Sequence, residues 1–118
     1  CNHSNRNKFI LSKGHGALGY FSVLEAFGFM DSTETSGFEK NGTNIFAHAH
    51  KNLKHGIEYS GGSLGLGVSF GVGMSIANRI KDIHSNVIVL VGDGECDDVD
   101  KGRDHPGYGV DVARALRR

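Results

Sequence analysis

The sequence predicts an α/β protein in which parallel strands are flanked by helices, and three observations carry that expectation. The stretch 86–91, "NVIVLV", is a continuous apolar, β-branched run of the kind that forms a parallel strand covered on both faces. Directly before it, Val68, Val72, Ile76 and Ile80 recur at four-residue steps, with Met74 and Ala77 widening the stripe. That pattern reads as a buried helix feeding the strand, with Gly71 and Gly73 permitting close packing. Near the N-terminus a short apolar piece, Phe9 to Leu11, precedes a second stripe of Leu18, Phe21, Leu24, Ala26 and Phe27, spaced by threes and fours.

Taken in order, Phe9 to Leu11 is predicted to be extended, and Ser12 to Gly16 form a glycine-flanked turn around His15. A helix of about three turns starts at Ala17, and Gly28 is placed to stop it. "MDSTETSGFEKNGTN" is a polar loop with one short helical turn, and it carries no nameable chemistry. "IFAHAHKNLKHGIEYSGGSLGLG" is too rich in glycine and histidine for a regular element. After Cys96 the character changes: "DDVDKGRDHPGYGVDVARALRR" is charged, holds the sole proline, and ends in a weak helical signal. The expected division is therefore a partial domain at 1–96 and a divergent charged tail at 97–118.

The length of 118 residues suits one domain with a core of its own. Thirteen basic residues balance thirteen acidic ones, which argues against a nucleic-acid binder, since such proteins rely on a positive excess. No apolar run approaches the roughly 20 residues that cross a bilayer, and the polar stretch "CNHSNRNK" with no apolar h-region behind it does not read as a signal peptide, so a cytoplasmic protein with no membrane partner is expected. Cys1 and Cys96 read as two free thiols in a reducing compartment. The chain begins with Cys and reads as a fragment or processed piece. Its 18 glycines are about twice the usual ~7% and cluster inside apolar segments, which signals close backbone approach to a ligand or another chain.

The predicted strand ends on Gly92-Asp93-Gly94. Ligands of open α/β sheets bind beyond the carboxyl ends of strands, and Asp93 occupies that place. Flanking glycines let a bulky anion approach, and Mg²⁺ is normally held by one or two carboxylates plus phosphate oxygens. The triplet thus suggests a diphosphate–Mg²⁺ site, with a plain tight turn as the alternative. A Ca²⁺ loop fails, because Asp98 stands where it needs Gly and Asp104 where it needs Glu. The acidic residues beyond Asp93 are expected to lie outside the site. His15, pinned between two glycines at a helix start, is poor core material and reads as functional.

Three segments in order, "KFILSKGHGALGYFSVLEAFGF", "HGIEYSGGSLGLGVSFGVGMSIANRI" and "VIVLVGDGE", resemble the N-terminal, diphosphate-binding half of transketolase. The resemblance runs from about Phe9 to Glu95 and is nearest to the forms whose two halves are separate polypeptides. It implies a partial thiamine-diphosphate-binding fold, thiamine diphosphate and Mg²⁺ as cofactors, and transfer of a two-carbon ketol unit between sugar phosphates. It assigns Asp93 to the metal, Gly92 and Gly94 to the diphosphate turn, and the Gly62 and Leu64 backbone to the cofactor's pyrimidine side. His15 and His48 match the histidines lining the substrate and cofactor pocket, with His50 and His55 as close rivals of His48. The implied partners are a sugar-phosphate substrate and a C-terminal transketolase section or second subunit, in an enzyme that is a homo-oligomer when whole.

The likeness stops at about Cys96. The family's second metal-ligating residue is an asparagine downstream of the aspartate, and this sequence has no Asn after Asn86. A Mg²⁺ site with one protein carboxylate is expected to be weak, and without the partner section that completes the thiamine cleft the chain alone is expected to be catalytically incompetent. Two competing readings remain: a related thiamine-diphosphate enzyme such as a 1-deoxyxylulose-5-phosphate synthase or a 2-oxoacid dehydrogenase subunit, and a non-catalytic remnant that keeps the fold for assembly or binding.

Overall fold

The computed structural model describes residues 5–96. The predicted tail at 97–118 lies outside them, as does His3. Two parallel strands, β1 (Lys8–Leu11) and β2 (Val87–Leu90), pair with Phe9 opposite Ile88 and Leu11 opposite Leu90. Parallel pairing demands a crossover, and here everything between the strands supplies it. In order it holds a 3₁₀ turn (Gly14–Gly16), α1 (Ala17–Ala26), α2 (Ser32–Thr35), a second 3₁₀ turn (Leu53–His55) and α3 (Leu66–Ile80).

The helix boundaries follow from local chemistry. Gly28 adopts φ +73°, and past the end of α1 the N–H groups of Gly28 and Phe29 donate to the Glu25 and Leu24 carbonyls at 2.9 and 2.8 Å. That double bond pattern around a left-handed glycine satisfies carbonyls that would otherwise be orphaned. At the start of α2 the Glu34 carboxylate accepts from the Asp31 N–H at 3.1 Å. Among the described residues no helix is long and apolar enough to cross a membrane.

Alternation along β1 divides the packing into two sides. Leu11 joins Ala17, Phe21, Leu24, Met30, Ala49 and Ile57 in the main core, with Phe9 and Tyr20 packed against it. Ile10 turns the other way, toward α3. On α1 the buried row is Ala17, Phe21 and Leu24, while Leu18 and Phe27 of the predicted stripe face outward. An α-helix can bury only about a third of its circumference against one layer, and here the row at i, i+4 and i+7 wins.

The apolar stripe predicted to be buried on α3 is not the buried face. Gly67, Gly71 and Asn78 are buried, Val68 and Val72 are half-buried, and Ile80 is 80% exposed. The reason is steric: a Cβ on Gly71 would stand 2.6 Å from Val89 Cγ2 and 3.4 Å from Ile10 Cδ1. The helix lies so close to the sheet that only glycine fits at the crossing, as expected for Gly71. Gly73, in contrast, has open space where its Cβ would be. The strand β2 is covered on one face only: Val87 and Val89 meet α3, whereas Ile88 and Leu90 stay half-exposed. Leu90 borders an open apolar groove of about 560 Å³ that runs past Phe9, Leu11, Val23 and Phe29.

Candidate cofactor-binding site

Three loops converge at the carboxyl ends of the two strands. The first leaves β1 at Ser12, the second is the glycine-rich approach to α3, and the third is Gly92-Asp93-Gly94 after β2. The N–H groups of Ser12 and Lys13 both donate to the Leu90 carbonyl, at 2.9 and 3.3 Å, so the exit of β1 is fastened to the end of β2. The Gly61 N–H donates to Ala49 O at 2.9 Å, and the Ser60 hydroxyl accepts from the Lys51 N–H at 2.9 Å. These bonds tie the histidine-bearing segment to the glycine-rich loop.

His15 and His48 come together. Their ring centroids are 5.4 Å apart in an edge-to-face arrangement, His15 exposed and His48 half-buried. Gly14 makes the approach feasible, because any Cβ there would overlap the His48 ring. The rivals are elsewhere: His50 packs at a tilt against Phe46, with ring centroids 4.7 Å apart. His55 is buried with Nδ1 2.7 Å from Phe29 O and Nε2 3.3 Å from Glu34. It serves as an anchor between segments. Geometry thus separates His48 from two neighbours that the sequence left nearly equal.

Gly62 lies in the exposed glycine-rich loop at φ +144°, a conformation that side-chain-bearing residues rarely adopt. Leu64, in the same loop, is 63% exposed, and Gly65 at φ +74° caps α3. The first turn of α3 contains no acidic residue, so its N-terminal end offers an anion the positive end of a helix dipole. Asp93 is exposed and opens a helical turn, Asp93 to Cys96; a Cβ on Gly94 would meet nothing within 4 Å.

Glu95, in the acidic run expected to lie outside the site, is the residue that the sequence reasoning passed over. It is 2% exposed, and its carboxylate accepts from Ser12 Oγ–H at 2.6 Å, Gly65 N–H at 3.1 Å and Gly92 N–H at 2.7 Å. One contact from each loop meets on one side chain. Burial pushes this carboxyl up, yet the three hydrogen bonds and the nearby Lys13 charge outweigh it and hold the group below the usual carboxylate range. The available sequence signal was Glu three residues after a glycine that starts a turn, half of a capping box.

These residues fit a diphosphate–metal ligand by their donor chemistry. Among the described residues no three potential ligating side chains form a cluster, so a cation would rest on the Asp93 carboxylate, phosphate oxygens and water. That donor set suits hard Mg²⁺, and the pair His15–His48 lacks the further ligands a structural Zn²⁺ needs. The arrangement as a whole defines an α/β domain with its ligand site outside the carboxyl ends of parallel strands, at the start of a helix.

Residues 1–96 match the family described as "Transketolase, thiamine diphosphate binding domain", and the chain belongs to that family. A protein named ferredoxin fas2 from Rhodococcoides fascians is 38% identical over 95 residues, covering 80% of this chain and 31% of its own length. An apulose-4-phosphate transketolase subunit from Phocaeicola vulgatus is 36% identical over 92 residues, covering 78% of this chain and 32% of its own length. The 6-deoxy-6-sulfo-D-fructose transketolase subunit SqwG of a Clostridium strain is 31% identical over 93 residues, covering 79% of this chain and 34% of its own length. The chain spans about a third of the length of these curated relatives.

Proposed function

We propose that this chain supplies the diphosphate-and-metal half of a transketolase-type active site. In this reading Asp93 holds Mg²⁺, and Gly92 and Gly94 let the cofactor's diphosphate lie against the backbone. Gly62 and Leu64 support its pyrimidine side, and His15 and His48 line the pocket where a sugar phosphate enters. The thiamine-binding module occupies 1–96, with 97–118 as a separate charged tail. The observation that carries the reading is the meeting of three glycine-bearing loops at the strand ends, with Asp93 exposed at the junction.

When bound, thiamine diphosphate supplies the electron sink on which a two-carbon ketol unit is transferred. The chain's own residues do the binding and orienting. Asp93 places negative charge where a divalent cation can join it to phosphate oxygens. The edge-to-face histidines present ring nitrogens, the groups suited to holding a substrate hydroxyl or moving its proton. A C-terminal transketolase section or second subunit completes the cleft, in an enzyme that is a homo-oligomer when whole. Relatives named as transketolase subunits support that two-part arrangement.

The test is a calorimetric titration of thiamine diphosphate with Mg²⁺ into this chain, alone and with a transketolase C-terminal section added. Heat of binding that grows when the section is present is the expected result. Silence in both titrations would leave a protein that keeps the fold without the cofactor.

A further inference from the structure

Glu95 buries its carboxyl group at the junction of the three loops. A buried polar group needs hydrogen-bond partners, and Glu95 finds its donors in Ser12, Gly65 and Gly92. A glutamate that merely caps its own turn needs only Gly92, three residues back. The other two donors lie 83 and 30 positions away along the chain, at the exit of β1 and the start of α3. Nor can Ser12 drift from its place, because α3 presses on it: a Cβ on Gly67 would overlap the Ser12 side chain and backbone. Local capping therefore accounts for one contact of three.

We propose that Glu95 is a positioning residue whose carboxylate locks the β1 exit, the glycine-rich loop and the Gly-Asp-Gly turn into one unit, fixing where Asp93 and Gly94 face the diphosphate. The purpose of the lock rests on the cofactor reading above, whereas its geometry stands on the three hydrogen bonds. Ser12 and Gly65 share Oε1, and Gly92 uses Oε2. An amide offers one acceptor oxygen and a donating NH₂, so Glu95→Gln cannot satisfy both sides.

The experiment compares amide hydrogen exchange and Mg²⁺–thiamine diphosphate affinity in the full chain for wild type, Glu95→Gln, Ser12→Ala and His55→Ala. In Glu95→Gln the Gly65 and Gly92 amides should exchange about tenfold faster, because each loses a charged acceptor. Affinity should fall about 10–100-fold, the usual effect of losing a partner that orients a metal ligand. Ser12→Ala leaves two donors on the carboxylate and should shift both readouts the same way by less. His55→Ala removes a buried anchor outside the three loops and should lower the unfolding temperature without speeding Gly65 or Gly92. Unchanged exchange at those glycines in Glu95→Gln would overturn the lock. So would an affinity loss in His55→Ala as large as in Glu95→Gln, which would mean that affinity merely follows stability. Absence of binding by wild type would instead sink the cofactor reading, with the exchange comparison still judging the lock.

Discussion

The two sides of the small sheet are packed by opposite means. On the α1 side, bulky side chains fill the space: Leu11, Phe21 and Leu24 with Met30 and Ile57. On the α3 side the helix closes in through Gly67 and Gly71, and its large residues lie to the flank. The first side is held by apolar area removed from water, and it works like an ordinary core. The second is held by proximity, and it leads directly to the site, since Gly67 abuts Ser12 and Ser12 bonds to Glu95. Damage on the α1 side should therefore cost stability, while damage on the α3 side should also reach the loops.

The largest expected effect breaks the bulky side. Phe21→Ala removes a nearly fully buried ring and should cost about 3–5 kcal/mol, read from denaturant unfolding. Gly71→Ala breaks the other side by overpacking, at about 1–3 kcal/mol, against which better helix propensity returns about 1 kcal/mol. A net loss is expected, because the new methyl meets Val89 at 2.6 Å and the strand behind it. If Gly71→Ala proves stabilising, the close-approach account of α3 is wrong.

A smaller effect concerns pH. Tyr20 packs beside the α1 core, where burial first and the Glu58 charge second push its hydroxyl from 10.0 to about 12. A raised tyrosine value favours the neutral form in the folded state. Its contribution to stability is thus complete below pH 10 and is lost as pH climbs toward 12. Wild type should lose stability across that window, and Tyr20→Phe should flatten the loss. The smallest effect is expected at Phe27, which is 76% exposed although it belongs to the predicted stripe. Phe27→Ser should change stability by no more than about 0.5 kcal/mol, which sharpens the contrast with Phe21 inside α1.

Much of this architecture could be read from the residues. A β-branched run marked β2, a short apolar piece marked β1, and apolar spacing marked the two longer helices, although on α3 the spaced residues are not the buried face. The buried face of α3 was hidden for a physical reason: glycine has no side chain to register in an apolar stripe, so the row that packs is silent. Gly71 alone was visible, as a suspect for close packing. In the site, Gly-Asp-Gly and His15 stood out by their glycine flanks, whereas His48, between two alanines, was marked only by the family resemblance. Glu95 did not, because an acid within an acidic run reads as solvated until the fold brings three distant donors to it. His48 was separable from His50 and His55 only through space, by the absent Cβ of Gly14.

The central claim is that Asp93 joins a divalent cation to a diphosphate, and its most direct test is thiamine diphosphate binding by Asp93→Ala against wild type, titrated with and without Mg²⁺. Wild type should bind only when Mg²⁺ is present. Asp93→Ala should not bind at all, with its thermal unfolding unchanged, since an exposed carboxylate contributes little to folding. Equal, Mg²⁺-independent binding by both proteins would contradict the claim, and loss of the fold in Asp93→Ala would make the residue a structural one.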